Sequence, residues 1–364
     1  MGSEGGVRRL FCHRCSKPCR ICICGRFNLP PLDNSIAITI LQHSLEMTHP
    51  LNSVRVAKLG FRNLNVVPVT DVNFKAQFII YPLEQNINRT SSQLAENYSE
   101  TPILEERVHF CPTHSGVSVQ TDTTTSPSLA CIQFQSEVVG SGLAKQHGEE
   151  NLCVSSDPGQ IDDYKRLSGD VVTTQFSNYT VSYTSRYILV TMGRTAKPDI
   201  SWIANSPVGR ATTSNGFMVK KLQRKKLLQG CECFRDFEEF KLIVPSGSVL
   251  LFPGRNAAEL EEVDYEVKHL IVLDGTWAKA RRMYYENPWL KLLPHLKLNS
   301  SRESLYSEVR HQPKGGCLST IESIVFALKG LGDEIEGLDK LLKVFESMVG
   351  DQRRCKDEKF KAMT

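Results

Sequence analysis

The acidic residue best placed for chemistry is Asp274, which follows the hydrophobic run His269-Leu-Ile-Val-Leu and precedes Gly275-Thr276-Trp277. The run predicts a buried strand, the glycine a turn, and residues 277–285 a helix. In open α/β sheets, ligands bind beyond the carboxyl ends of the strands, where Asp274 is expected to lie. A carboxylate there is suited to accept a proton from a substrate. The same spacing fits an aspartate that caps the following helix, and spacing alone leaves both interpretations open.

Four cysteines near the amino terminus follow the pattern Cys12-x2-Cys15-x6-Cys22-x-Cys24. Four thiolates suit tetrahedral Zn²⁺, and a closed set of four indicates a structural site. Cys19 is a fifth candidate, either a spare or a replacement for a neighbour. Ordinary reduced cysteines and iron–sulfur ligation are the alternatives. Clustered cysteines in a chain of this length are typical of a metal site in a reducing compartment, and we expect zinc.

Composition excludes several classes of protein. The chain has 364 residues, of which 40% are hydrophobic and 23% charged. These values exclude collagenous, coiled-coil and wholly disordered proteins, and the length predicts about two domains. No apolar run reaches the roughly 18 residues that span a membrane, and residues 1–9 lack the apolar core of a signal peptide. We therefore expect a soluble protein that is not secreted and is cytoplasmic, nuclear or both.

Charge is unevenly distributed around a net value of +4. Residues 85–180 contain 5 Lys and Arg against 12 Asp and Glu, together with 23 Ser and Thr. Little apolar periodicity remains in this segment, so we interpret it as a largely disordered insertion. The remainder of the chain is basic, and basic proteins attract polyanions such as RNA.

Outside the insertion, predicted strands alternate with predicted helices. The strands are residues 35–41, 64–69, 248–252 and 269–273, with a short β-like run at 182–192. The helices are residues 50–60, 256–262, 277–285, 318–328 and 336–349. Strands separated by helices predict parallel βαβ units with helices on both faces of the sheet. The fold class is α/β, with a mostly parallel sheet and a small zinc knuckle at the amino terminus.

Several motifs resemble one family when they are taken in chain order. Asp274-Gly275-Thr276-Trp277 resembles the D-x-T-W motif of the DTW-domain family, the tRNA-uridine aminocarboxypropyltransferases. Three further blocks and the cysteine head resemble the family as well: Cys12 to Cys24, Leu41-Gln-His43-Ser-Leu-Glu46-Met-Thr-His49-Pro50-Leu-Asn52-Ser-Val-Arg55, Leu251-Phe-Pro253-Gly254, and Leu318-Ser319-Thr320-Ile-Glu322. The long polar insertion is a departure from the family pattern.

The resemblance implies a fold, a reaction and a partner. Family members transfer the 3-amino-3-carboxypropyl group of S-adenosylmethionine to N3 of a tRNA uridine, which gives acp3U and methylthioadenosine. Their fold is similar to that of SPOUT RNA methyltransferases, a Rossmann-like sheet with a knotted carboxyl-terminal part. Asp274 would then accept the N3 proton, orient the base or hold the donor's ammonium. Trp277 would stack on a base or adenine, or simply pack.

The resemblance also divides the chain. Residues 1–30 would form the cysteine-rich zinc segment, and residues 31–84 and 240–350 the SPOUT-like catalytic domain. Residues 85–180 would be the insertion, 181–239 a partly ordered basic connector and 351–364 a tail.

Candidate donor-binding residues come from the later family blocks: Pro253, Gly254, Leu273, Ser319, Thr320 and Glu322. Ser319 and Glu322 equally fit a capping box before the helix, and Pro253-Gly254 a plain turn. His43 and His49 fit loop residues better than catalytic ones.

Candidate contacts with tRNA phosphates are basic: Arg55, Lys220, Lys221, Arg224, Lys225, Lys226, Lys279, Arg281 and Arg282. A solvated helix face is the alternative for the run from Lys220 to Lys226.

Two other functions compete with the aminocarboxypropyltransferase. One is an S-adenosylmethionine-dependent RNA methyltransferase, and the other is a non-catalytic zinc-containing RNA-binding protein. The by-product separates the two enzymes, because a methyltransferase releases adenosylhomocysteine. A monomer and a homodimer are both compatible with the sequence.

Overall fold

A computed structural model describes one compact unit of the chain. Its described residues are 10–28, 30–84, 171–226, 234–254, 256–299, 303–307, 309, 316–333 and 335–361. Most of the predicted insertion, residues 85–170, lies outside the described residues. At its carboxyl end, residues 172–175 form one strand and residues 179–180 begin the next. No helix among the described residues is long and apolar enough to cross a membrane.

Strands and helices alternate along only part of the described chain. The strands are β1 (Ala37–His43), β2 (Leu64–Val69), β3 (Lys75–Pro82), β4 (Val172–Gln175), β5 (Tyr179–Tyr183), β6 (Ile188–Gly193), β7 (Gly216–Lys226), β8 (Phe234–Pro245), β9 (Ser248–Leu251), β10 (Ala258–Glu259), β11 (His269–Asp274) and β12 (His295–Lys297). The α-helices are α1 (Val54–Gly60), α2 (Pro207–Asn215), α3 (Trp277–Glu286), α4 (Thr320–Gly330) and α5 (Leu338–Lys361).

The first sheet is parallel throughout, in the order β10-β12-β9-β11-β1-β2. Strand β11 lies between β9 and β1, and its register pairs Gln42 with Asp274. Its residues Leu270, Ile271 and Val272 are almost fully buried, as expected for a central parallel strand covered on both faces. The carboxyl ends of β1, β9 and β11 therefore meet at one edge of the sheet.

The second sheet is antiparallel, in the order β4-β5-β6-β3-β7-β8, and it corrects the prediction of a single mostly parallel sheet. Strands β7 and β8 form its long hairpin and lie largely within the predicted basic connector. The run from Lys220 to Lys226 belongs to β7, so the helix considered for it is wrong. Alternation of buried and exposed residues along these strands is the period-2 signal that the charges of the run obscured.

Two hydrophobic cores flank the parallel sheet. On one face, residues such as Ile38 and Val272 pack against α1, α4 and α5. On the other, Leu41 and Ile271 pack against the antiparallel sheet, together with Met283 of α3. The second face is therefore covered by a sheet as well as by helices, where the prediction had helices alone.

One predicted helix is wrong. Residues 256–262 form the short strand β10 and a single 3-10 turn, Leu260–Glu262, with Glu259 and Glu262 in a capping box. The segment is too short for its hydrogen bonds to offset the free-energy cost of helix nucleation, and it lacks a long apolar face to pack. The other predicted strands and helices of the parallel sheet are present, and most of their ends differ by a few residues. The exception is the helix predicted at 336–349, since α5 continues to Lys361 through most of the predicted tail. The knotted, SPOUT-like path of the chain stays a prediction.

Candidate active site and metal centre

A cavity of about 410 Å³ opens at the carboxyl edge of the parallel sheet. Its walls come from the segments that follow β1, β9, β11 and β12 and from the beginning of α4. Asp274 and Trp277 line it, together with apolar residues such as Phe252 and Leu296. The volume lies in the usual range of small-molecule sites, and polar groups converge on an otherwise apolar wall.

Asp274 is held in a fixed orientation inside this cavity. Its side chain is 7% exposed. Gln42 Nε2 donates to Asp274 Oδ2 over 2.8 Å, and Thr320 Oγ1 donates to Asp274 Oδ1 over 2.5 Å. Gln42 Nε2 also lies 3.3 Å from Asn52 Oδ1. The carboxylate is thus oriented by residues from β1 and α4, on both sides of β11.

The three residues after Asp274 have different roles. A Cβ on Gly275 would lie 3.1 Å from Lys279 Cβ, so a larger residue would crowd the turn into α3. Thr276 is the N-cap of α3 and accepts a hydrogen bond from the Lys279 amide. The cap is therefore Thr276 and not Asp274. Trp277 begins α3, is half-buried and lines the cavity.

The predicted donor-binding residues divide into two groups. Pro253, Leu273 and Thr320 line the cavity. Gly254 does not, and a Cβ there would lie 3.4 Å from the His295 ring.

Ser319 and Glu322 form the capping box of α4. The buried Glu322 carboxylate accepts hydrogen bonds from Ser304 Oγ (2.6 Å) and the Leu305 amide (2.8 Å). These two residues hold the beginning of α4 instead of lining the cavity.

The side chains of His43 and His49 form hydrogen bonds with nearby described residues. His43 Nδ1 accepts a hydrogen bond from the Leu45 amide, so its Nε2 carries the proton and donates to Asp71 Oδ1 over 3.1 Å. His49 Nδ1 accepts a hydrogen bond from the Leu51 amide. Each ring thus accepts a hydrogen bond from an amide of the segment between β1 and α1. His43 is the last residue of β1, and His49 lies in the loop as predicted.

The segment between β1 and α1 also brings Glu46 and Asn52 to the cavity wall. Asn52 Nδ2 donates to the carbonyls of Glu46 and Met47 over 3.1 and 3.2 Å. Glu46 is 4% exposed, and its Oε1 lies 3.0 Å from Lys279 Nζ. The sequence analysis proposed no role for Gln42 or Glu46, although both lie in the block from Leu41 to Arg55 that resembles the family.

Lys221 is fully buried and does not reach solvent. Its Nζ lies 2.6 Å from Glu239 Oε2 and donates to the Thr70 carbonyl over 3.2 Å. Burial lowers the pKa of Lys221, while Glu239 opposes this effect. The side chain is part of the core between the sheets and is not accessible to a phosphate.

The other basic residues of β7 differ in accessibility. Lys220 pairs with Glu238 across the hairpin, and Arg224 forms two hydrogen bonds with Asp236, which raise the pKa of Arg224. Lys225 and Lys226 are exposed.

Basic residues near the cavity are also mostly engaged. Arg55 Nη2 donates to the Met47 carbonyl over 3.2 Å, and burial lowers the pKa of Arg55. Arg282 pairs with Asp71 and Glu286, and Arg281 is exposed on α3.

The four predicted ligand cysteines do come together. Their sulfurs all lie within 4.8 Å of one another, with 3.7 Å between Cys12 and Cys24 and between Cys15 and Cys22. A tetrahedral site with Zn–S bonds of 2.3 Å has sulfurs about 3.8 Å apart, so the set fits a metal ion of this kind. Cys19 is exposed and lies outside the group.

The local environment of the cluster favours at least one thiolate. Backbone amides of Cys15 and Arg14 hydrogen-bond the Cys12 sulfur and lower its pKa to about 6. Burial and the neighbouring thiols raise the pKa of Cys24 to about 12. A bound cation would offset that cost, because thiolates are the ligating form of cysteine.

The carboxyl-terminal part of the chain matches a known protein family. Residues 203–353 match the model of the DTW domain. A "tRNA-uridine aminocarboxypropyltransferase 2" of Macaca fascicularis is 34% identical over 122 residues, which cover 32% of this chain and 41% of that protein. Proteins of the same name from Mus musculus and Drosophila melanogaster are 38% and 35% identical, over 26% and 28% of this chain and 33% and 41% of their own lengths.

These matches span less than half of the length of the curated relatives. No solved structure matches the chain. The matched region begins ahead of β7, so it includes much of the predicted connector and Asp274, whereas the cavity wall from Glu46 to Ser53 lies outside it. The resemblance predicted from the motifs is confirmed for the carboxyl-terminal part of the chain, where residues 203–353 match the DTW domain.

Proposed function

We propose that this protein transfers the 3-amino-3-carboxypropyl group of S-adenosylmethionine to N3 of a uridine in tRNA. The observation that carries the proposal is the Asp274 carboxylate, placed on the cavity wall by the D-x-T-W motif and oriented by Gln42 and Thr320. The names of the relatives with a matching region support the same reaction.

The proposed chemistry is a nucleophilic substitution at carbon. The uridine N3 attacks the side-chain methylene bonded to the sulfonium, the new N–C bond forms, and the C–S bond breaks with its electron pair going to sulfur. The products are acp3U and neutral methylthioadenosine. Asp274 accepts the proton that N3 carries, since a base within hydrogen-bond reach assists its removal.

The cavity suits the other demands of this reaction. A sulfonium has three carbons open to attack, so the enzyme selects one by holding it in line with the nucleophile. The apolar wall that includes Phe252 and Leu296 suits the adenosine, and Trp277 offers a ring for stacking. N3 of uridine is engaged in Watson–Crick pairs, so the target nucleotide is unpaired or flipped out.

We further propose that exposed basic residues outside the cavity contact the tRNA backbone. Lys225, Lys226 and Arg281 are exposed, whereas Lys220, Arg224 and Arg282 are already paired with acids. We also propose that the four-cysteine cluster holds structural zinc, because a closed set of four sulfurs leaves no position for a substrate.

The test is a direct assay. Purified protein is incubated with unmodified tRNA and S-adenosylmethionine, and the nucleosides and by-product are identified by mass spectrometry. We expect acp3U with methylthioadenosine. Asp274→Asn, which keeps the shape of the side chain, should retain tRNA binding and lose at least about a hundred-fold in rate. Methyluridine with adenosylhomocysteine would overturn the reaction while keeping the donor.

A further inference from the structure

The donor in the proposed function ends in a free α-amino acid group. At neutral pH this group carries an ammonium and a carboxylate on one carbon, and its burial costs free energy unless both charges are paired. A complementary site therefore needs a carboxylate and a cation side by side. A single buried carboxylate would attract the ammonium but repel the donor's own carboxylate.

The ion pair of Glu46 and Lys279 has this composition. Glu46 lines the cavity and is 4% exposed, and Lys279 Nζ lies 3.0 Å from its Oε1. Lys279 lies on α3 between Ala278 and Ala280, both of which line the cavity. Because the pair and the zwitterion are each neutral overall, their association adds no net charge to the site.

Asp274 is the other carboxylate among the described residues that line the cavity. The side chains that orient it, Gln42 and Thr320, are uncharged donors. This arrangement suits a carboxylate that receives a proton, whereas an ion pair suits one that binds a charged group. Asn52 links the two, since it donates to the Glu46 carbonyl and its Oδ1 lies 3.3 Å from Gln42 Nε2.

Among the described residues that line the cavity, Lys297 is the cation, and it provides a matched control. Its Nζ pairs over 3.5 Å with Glu259, and both side chains are more than one third exposed. Such a solvated pair contributes little to binding. By contrast, Glu46 is buried, and Asn52 connects it to Gln42, which orients Asp274.

We propose that Glu46 and Lys279 bind the α-amino acid group of the donor, with Glu46 receiving the ammonium and Lys279 the carboxylate. This inference rests on the proposed function, because it takes S-adenosylmethionine as the donor. Holding that end of the side chain fixes the adjacent methylenes, so the subsite also contributes to transfer of the aminocarboxypropyl group instead of the methyl group.

Two unreactive ligands isolate the subsite. Adenosylhomocysteine and methylthioadenosine are both neutral thioethers of the same nucleoside, and the first carries the amino acid group that the second lacks. Their dissociation constants are measured by calorimetry for the zinc-loaded full chain, for Glu46→Gln and for Lys297→Met. Glu46→Gln keeps the backbone carbonyl that Asn52 binds, and a thermal melt confirms folding.

The ratio of the two dissociation constants is the decisive quantity. We expect the wild-type protein to bind adenosylhomocysteine more tightly, and Glu46→Gln to lose about ten- to hundred-fold for this ligand alone, as for a lost charge-assisted hydrogen bond. Lys297→Met should keep the wild-type ratio. A wild-type ratio in Glu46→Gln, or loss of the wild-type ratio in Lys297→Met, would contradict the proposed subsite. Neither result would contradict the proposed function. If the wild-type protein bound neither ligand, the donor and the subsite would both be wrong.

Discussion

The orientation of Asp274 by two neutral donors leads to a quantitative prediction. Gln42 is 2% exposed and donates to Asp274 Oδ2 over 2.8 Å, so Gln42→Leu removes that hydrogen bond with little change in volume. Hydrogen bonds to charged groups contribute about 1.5–3 kcal/mol. If the bond is needed in the transition state, kcat/KM should fall roughly 10- to 150-fold. Thr320→Val, which removes the 2.5 Å bond to Oδ1, should cost at least as much.

The assay is acp3U formation under single-turnover conditions with saturating S-adenosylmethionine. Gln77→Leu is the matched control, because Gln77 lies on β3 and donates to Thr191 Oγ1 over 3.4 Å, away from the cavity. If Gln42 acts through Asp274, its substitution should have less than about a two-fold effect in an Asp274→Ala background. Equal effects in both backgrounds, or a fully active Gln42→Leu variant, would show that Gln42 does not act through Asp274.

Three further predictions concern stability and metal content. Lys221→Met and Glu239→Gln should each lower the free energy of unfolding by about 3–5 kcal/mol, because each leaves a buried charge unpaired, whereas urea denaturation should show the double variant much closer to wild type. Burial lowers the pKa of His269 from 6.5 to about 4, so between these pH values the unfolded state binds a proton that the native state does not bind. The stability from neutral His269 should therefore be complete above pH 6.5 and fall by about 3 kcal/mol as the pH drops to 4, and unfolding titrations of His269→Gln should lack this component. Cys12→Ser should lower zinc stoichiometry measured by mass spectrometry under native conditions, whereas Cys19→Ser should not; equal zinc content in both variants would contradict the ligand set.

The candidate site was predicted where local sequence carries the signal. The apolar run of β11 ends in Asp274, and a strand of that kind places its last residue at the ligand-binding edge of a parallel sheet. The spacing of the four cysteines is equally local, because four ligands within one short segment need little help from the rest of the fold. In the structure, Asp274 ends β11 and lines the cavity, and the four cysteine sulfurs lie within 4.8 Å of one another.

The basic run of β7 shows where local reasoning failed. The seven residues from Lys220 to Lys226 indicate a charged surface when charge is counted, yet Lys221 lies in the core between the sheets. Its burial depends on Glu239, which β8 brings within 2.6 Å. No pattern within the run distinguishes a buried lysine from its exposed neighbours, because the partner that makes burial tolerable is on another strand.

Local sequence identified the candidate residues, namely the D-x-T-W aspartate and the four cysteines, and it indicated the α/β class. The partners of Asp274 depend on the fold, since Gln42 and Thr320 are brought to it from β1 and α4. The fold also decided that Thr276 caps α3, and that an antiparallel sheet covers one face of the parallel one. Sequence patterns act over a few residues, whereas burial and hydrogen-bond partners depend on strand order and on packing between distant segments.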